Sequence, residues 1–139
     1  MGGTNVEYWL MKTEPEVFSY ADLERAGREP WNGVRNPGAL KHMRSMQPGD
    51  WAFIYHTGDV RAIVGIARVV SEPYPDPTED DPRFVVVDVT PERPLARPVT
   101  LAQIKADERF AGWDLVRQAR LSVMPVGAER WELLLTMGG

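Results

Sequence analysis

Short runs of aromatic and branched residues, each cut off early by proline, glycine or a helix cap, most constrain what this chain can fold into. The runs are Tyr8 to Met11, Trp51 to His56, Ile63 to Val70, Phe84 to Val89 (ending before Thr90-Pro91) and Leu121 to Met124, stopped by Pro125. Each has the length of a strand rather than of a helix. Gly65 inside the third run predicts a bulge or a close backbone approach. Helix signals lie between the runs. Ser19 is an N-cap with Asp22 three residues on, Phe18 and Leu23 can staple that turn, and Gly27 ends the helix. Asn36-Pro37 opens a second helix, with Ala39, Met43 and Met46 on one face. Gln47-Pro48-Gly49-Asp50 is a turn. Thr100-Leu101-Ala102-Gln103 is a capping box with Val99 and Ile104 as its staple. Trp131, Leu134 and Leu135 mark an amphipathic C-terminal helix ending at Gly138. This order is not alternating β-α-β. It predicts an α+β fold, a small curved sheet or barrel of about five to six strands with helices packed around it.

The 139 residues suffice for one domain, expected to span 1–139 with residues 1–5 flexible. A hydrophobic fraction of 43% supports an ordinary core. The chain has no cysteine, which excludes disulfides, thiolate catalysis and sulfur-ligated zinc, and fits a reducing, cytoplasmic setting. It has no apolar run of membrane-spanning length and no signal-peptide pattern, so no membrane association is expected. The net charge of −4 does not suit a protein that coats duplex DNA through a wholly basic surface. Binding to nucleic acid has to use one local patch, or a pocket that reads a base. The acids Asp76, Glu79, Asp80 and Asp81 read as a solvated loop.

Such a patch is present. Trp31-Asn32-Gly33-Val34-Arg35-Asn36 joins an aromatic face, a permissive glycine, a guanidinium and an amide. From Pro30 to Gly49 there is no acidic side chain, while Arg35, Lys41 and Arg44 are all there, with His42 among them. An aromatic platform beside donors and positive charge suits an unstacked nucleobase attached to a phosphate. Trp31 is the candidate stacking group, with core packing as its alternative role. Glu14 is held extended by Pro15 and can accept from an exocyclic amine. Lys12, Arg35, Lys41 and Arg44 are candidate backbone contacts. The Arg35 fork suits phosphate oxygens, and Asn36 has a competing role as helix cap. Tyr55 and His56 end one strand, and Thr57 follows on the same rim. Asp88 lies in an apolar run and needs partners there. Arg120 and Ser122 flank Leu121 on a strand and so project to one side, as a pocket wall or as a solvent-facing pair. Trp9, Trp51, Trp113 and Trp131 are assigned to packing.

Several blocks, in order and over nearly the whole chain, resemble the EVE domain. They are Tyr8-Trp9-Leu10-Met11-Lys12-Thr13-Glu14-Pro15, Trp31 to Asn36, Tyr55-His56, Val64-Gly65-Ile66-Ala67, Tyr74-Pro75-Asp76, Val87-Asp88-Val89 and Arg120-Leu121-Ser122. The resemblance implies a PUA-like β-barrel. It also implies a pocket for a modified base flipped from a strand, a methylated or otherwise altered cytosine or adenine. YTH domains are similar at a distance. Their Lys-Ser-Asn and cage-tryptophan segments fall on Lys12-Thr13-Glu14 and Trp31-Asn32. Glu14 stands where those domains have an amide, so the preferred base edge differs. Tyr74 and Tyr55 are the candidates for a second cage aromatic. The pocket set from this reading is Thr13, Glu14, Trp31, Asn32, Gly33, Val34, Tyr55, His56, Thr57, Tyr74, Asp88, Leu121 and Ser122. The phosphate set is Lys12, Arg35, Asn36, Lys41, Arg44 and Arg120.

No catalytic motif is legible: H-E-x-x-H, G-x-S-x-G and a P-loop are all missing, and Ser45, Ser71 and Ser122 carry no elbow signature. No catalytic residue, metal or cofactor is expected. The expected partner is DNA or RNA carrying a modified base, and no obligate protein partner is inferable. The alternative is an enzyme acting on a modified nucleotide, with His56 or Glu14 as acid or base and Asp88 orienting His56. A protein-interaction scaffold with a vestigial pocket is a third reading.

Overall fold

A computed structural model describes residues 6–139; the expectation for residues 1–5 lies outside them. The strands are β1 (Tyr8–Thr13), β2 (Glu29–Pro30), β3 (Trp51–His56), β4 (Ala62–Val69), β5 (Tyr74–Pro75), β6 (Val85–Val86), β7 (Asp88–Thr100) and β8 (Val123–Pro125). The helices are α1 (Tyr20–Ala26), α2 (Pro37–Arg44), α3 (Leu101–Lys105), α4 (Asp114–Arg117) and α5 (Ala128–Gly138). Six strands form one sheet in the order β2-β7-β4-β3-β1-β8, while β5 and β6 pair as a separate ribbon. The sheet is a curled half-barrel rather than a closed barrel, and the fold is α+β and PUA-like.

One pair in this sheet is parallel. β1 and β3 run side by side from Tyr8↔Trp51 to Thr13↔His56. Parallel neighbours need a long crossover, and here it is α1, β2 and α2. Both strands therefore deliver their last residues to the same end of the sheet. The caps that steer the crossover are those legible in the sequence. Ser19 and Asp22 form a reciprocal capping box, and Gly27 closes α1 in the left-handed conformation. The Asn36 carboxamide oxygen accepts from the Gly38 and Ala39 amides at the start of α2.

Gly65 is both a bulge and a close approach. The β3–β4 and β4–β7 registers shift beside it. A Cβ built there would stand 2.5 Å from the Tyr20 ring, whose hydroxyl donates to the Ile66 carbonyl at 2.6 Å. The tryptophans assigned to packing do pack. Trp131 stacks on Phe53 at 3.8 Å. Trp9 donates to the buried Asp50 carboxylate at 2.9 Å, Trp113 donates to the Pro125 carbonyl, and the Arg68 guanidinium covers Trp51.

Three expectations are corrected. The apolar run at Phe84–Val89 is not one strand: Val85–Val86 pairs with β5, and a new strand starts at Asp88 and continues through Pro91, Pro94 and Pro98 to Thr100. Prolines are tolerated there because β4 occupies one side of β7 and β2 reaches only Asp88 and Val89 on the other. The last strand begins at Val123, not Leu121, and includes Pro125 at the open sheet edge, so Arg120 and Ser122 precede it. The acidic loop is tied down rather than merely solvated. Asp76 is buried and accepts from the Thr78 amide and hydroxyl, Glu79 pairs with Arg35, and Asp81 pairs with Arg83.

Candidate functional site

The carboxyl ends of β1 and β3 open into a cavity of about 550 Å³. Thr57 continues β3, donating its amide to the Thr13 carbonyl at 3.0 Å, and both threonines line the cavity. The turn after β1 supplies Glu14, whose carbonyl accepts from the Val17 and Phe18 amides. Those bonds fold Val17 and Phe18 back over the mouth. Across from them, β2 and the loop after it contribute Glu29, Pro30, Trp31, Asn32, Gly33 and Val34. Ala119, Arg120 and Ser122 close the third side. The Lys12 amide donates to the Ser122 carbonyl at 2.9 Å, extending the β1–β8 ladder by one bond and drawing this segment inward.

Trp31 is 6% exposed. Its backbone amide donates to the Val87 carbonyl at 2.8 Å, and its ring meets Phe18 edge to face, with centroids 6.1 Å apart and planes at 83°. Trp31 belongs to the buried core, as its alternative role anticipates, and is also one of the residues that line the cavity. Gly33, at φ 79°, allows the reversal that returns the chain from Trp31 to the buried Val34. Glu14 and Glu29 supply acceptors, and Asn32 and Ser122 supply donors. Lys12 and Arg120 supply charge. The Lys12 ammonium is half-buried, donates to the Ala119 carbonyl at 3.0 Å and lies 5.6 Å from the centroid of the Tyr55 ring. Burial pushes its pKa below the ordinary lysine value.

Of the residues singled out in the sequence, Lys12, Thr13, Glu14, Trp31, Asn32, Gly33, Val34, Thr57, Arg120 and Ser122 meet at this cavity. The others lie elsewhere. Tyr55 is buried beneath Lys12, and His56 uses Nε2 to accept from the Tyr20 amide at 3.0 Å, at the first turn of α1. Burial holds this imidazole below its ordinary pKa, against a smaller opposing pull from Glu16. Tyr74 donates to Asp88 at 2.5 Å, and that hydrogen bond is the main reason its pKa is pushed up to about 12. Asp88 also pairs with Arg28 at 2.9 Å. The candidate His56–Asp88 pair is therefore not formed, because each member is engaged by a different partner. Leu121 packs against α2 at Gly38. Arg35 pairs with Glu79 at 2.6 Å and covers Phe84, Asn36 caps α2, Arg44 donates to the Arg83 carbonyl, and Lys41 is exposed on α2.

The sequence reading missed Glu29, Pro30, Val17, Phe18 and Ala119. None of them sits in a motif. A charged residue ahead of Pro30-Trp31 was the one available signal for Glu29, and its meaning depends on β2 pairing with β7.

The comparisons with known proteins agree with this architecture. The family model for the EVE domain matches residues 7–137. The chain is 33% identical to thymocyte nuclear protein 1 of Mus musculus, over 98% of this chain and 76% of that protein. An NMR structure of Rpa0253 from Rhodopseudomonas palustris superimposes with a TM-score of 0.91 at 48% identity, covering 96% of this chain and 94% of that one. A crystal structure of human THYN1 in complex with DNA containing 5-methylcytosine superimposes with a TM-score of 0.87 at 31% identity, covering 95% of this chain and 97% of that one. An ASCH protein from Zymomonas mobilis shares the fold alone, at 14% identity and a TM-score of 0.62. By its sequence blocks, its fold and these matches, the chain belongs to the EVE domain family.

Proposed function

We propose that this domain is a non-catalytic nucleic-acid-binding module that takes one modified base, of the methylated cytosine class, into the cavity beside Trp31. The observation that carries the reading is the pairing of an indole wall with acceptors, donors and cations around one cavity. A cavity of about 550 Å³ has room for a base and part of its sugar. The base stacks on the indole, and the edge-to-face contact with Phe18, which also lines the cavity, helps to fix that platform. The amine of a cytosine meets Glu14, and its N3 and O2 acceptors meet Asn32 or Ser122. Lys12 and Arg120 favour the attached phosphate. The human relative's complex with 5-methylcytosine DNA supports the class of ligand.

Binding rather than catalysis is the better reading because, although Glu14 lines the cavity, the His56–Asp88 acid–base pair is not formed. His56 accepts from the α1 backbone, and Asp88 is held by Tyr74 and Arg28. Titration by tryptophan fluorescence, with oligonucleotides identical except for one 5-methylcytosine, tests the proposal. The expected result is saturable quenching and tighter binding of the modified strand. Equal affinity for the plain strand would overturn it. Recovery of the ligand unchanged after incubation, read by mass spectrometry, separates a reader from an enzyme.

A further inference from the structure

Like 60–71 and 93–106, two further separated stretches of this acidic chain contain no acidic residue: 30–49 and 115–128. All twenty Asp and Glu residues lie outside them. The fold packs the two stretches together. Helix α2, from the first, lies on β8 and the segment leading into it, from the second. Gly38 at the start of α2 faces Leu121, and His42 further along lies near enough to Asp114 to feel its charge. The helix thus runs beside residues 114–121, with its beginning next to the segment that lines the cavity.

These two packed segments carry four exposed cations, of which Arg120 lines the cavity. Lys41, Arg44, Arg117 and Arg120 are all exposed, and among the described residues none of them pairs with a carboxylate. Arg44 is steadied by one bond to the Arg83 carbonyl. The carboxylates bordering the face are already engaged: Glu79 by Arg35, Asp81 by Arg83, and Asp114 by the Gln118 amide. From Gly38 to Arg44 the helix rises about 9 Å, enough to follow more than one phosphate of an extended strand.

We propose that this face, formed by α2 and the 117–120 segment, carries the sugar–phosphate backbone of the strand whose base enters the cavity. The inference rests on the base-reading proposal and adds a division of labour to it. The cavity reads the base, while Lys41, Arg44 and Arg117 hold the flanking backbone without sequence preference. A chain with a net charge of −4 needs such a face, because its average field repels nucleic acid.

The test compares two ligands that differ only in backbone: free 5-methyl-2′-deoxycytidine, and a short single strand with one central 5-methylcytosine. Each is titrated against the wild-type domain, Lys41→Ala/Arg44→Ala and Arg117→Ala over a range of salt concentrations. The strand should bind the wild type more tightly than the nucleoside, with a salt-dependent gain. The double variant should lose roughly ten-fold in strand affinity at low salt, and its log–log salt slope should become shallower by about 1 to 1.5. Arg117→Ala should show a smaller loss in the same direction, and nucleoside affinity should not change in any variant. Strand affinity and salt slope that match the wild type in the double variant overturn the proposal, even if the cavity still prefers the methylated base. If methylated and plain strands bind equally while the slope still depends on Lys41 and Arg44, the base reading fails and this face stands.

Discussion

Phe18 meets Trp31 edge to face, with ring centroids 6.1 Å apart, and both rings line the same cavity. The contact joins the turn before α1, which follows β1, to the loop after β2, which is held by pairing with β7. Trp31 is buried as a residue and still lines the cavity. A stacking platform fixed in this way loses little freedom on binding.

Trp31→Phe should keep the fold and weaken binding of the methylated strand, and Trp31→Ala should remove roughly 1–3 kcal/mol of stacking. Fluorescence anisotropy of a labelled strand measures the loss. Circular dichroism on the same samples separates it from unfolding, which a truncated buried ring can also cause. Unaltered affinity in both variants would place the base elsewhere.

The two carboxylates at the cavity predict discrimination by base edge. Glu14 and Glu29 accept hydrogen bonds and donate none. 5-Methylcytosine offers an amine at C4, whereas thymine carries the same methyl group and a carbonyl there. Strands with thymine at the reading position should bind more weakly, by about 1–3 kcal/mol. Glu14→Gln should narrow that gap, because an amide donates as well as accepts. Competition assays with strands differing at that one base measure both effects, and thymine binding as tightly as 5-methylcytosine would rule out carboxylate reading.

Gly65→Ala should destabilise the fold by about 1–3 kcal/mol. The added Cβ falls 2.5 Å from the Tyr20 ring, and that tyrosine is buried with its hydroxyl committed to the Ile66 carbonyl. Tyr20→Phe keeps the ring and leaves one buried carbonyl short of a donor, a cost of roughly 1–3 kcal/mol. Urea denaturation midpoints report both. A Gly65→Ala protein as stable as the parent would mean that the ring can move aside.

Acid should destabilise the domain through His56. Burial makes the folded imidazole harder to protonate than the unfolded one, and Nε2 must stay unprotonated to accept from the Tyr20 amide. Its contribution is complete above the unfolded pKa of about 6.5 and is lost as the pH falls below that value toward the depressed folded pKa. His42, also lowered by burial, adds in the same direction. Denaturation midpoints at neutral and mildly acid pH should differ, and His56→Gln, whose side-chain carbonyl can still accept, should show a smaller difference. An unchanged pH dependence in that variant would assign the effect to His42.

Local elements were legible where a backbone signal and a side-chain signal coincided. Ser19 with Asp22, Asn36 with Pro37, and Thr100 with Gln103 cap the helices expected of them, since a cap depends on neighbours within a few residues. The strand from Asp88 to Thr100 was not legible, because its three prolines are harmless only at a free edge, and edges belong to the sheet. Asp76 read as solvated and is buried, because its partners at Thr78 depend on a turn that the ribbon of β5 and β6 holds in place.

The order of residues alone determined the family, the cap chemistry, the curved mixed-element architecture and a segment from Trp31 to Arg44 fit to meet a base. Each of these depends on spacing along the chain or on composition within it. Tertiary structure decided which of those residues share one cavity. Parallel pairing of β1 with β3 brought Glu14 and Thr57 to one end of the sheet, β2 added Glu29, and the bond from Lys12 to Ser122 drew in Arg120. The same packing turned Arg35 toward Glu79 and away from the mouth. Contacts between residues far apart in sequence come from strand pairing and burial over the whole domain, and no local pattern encodes them.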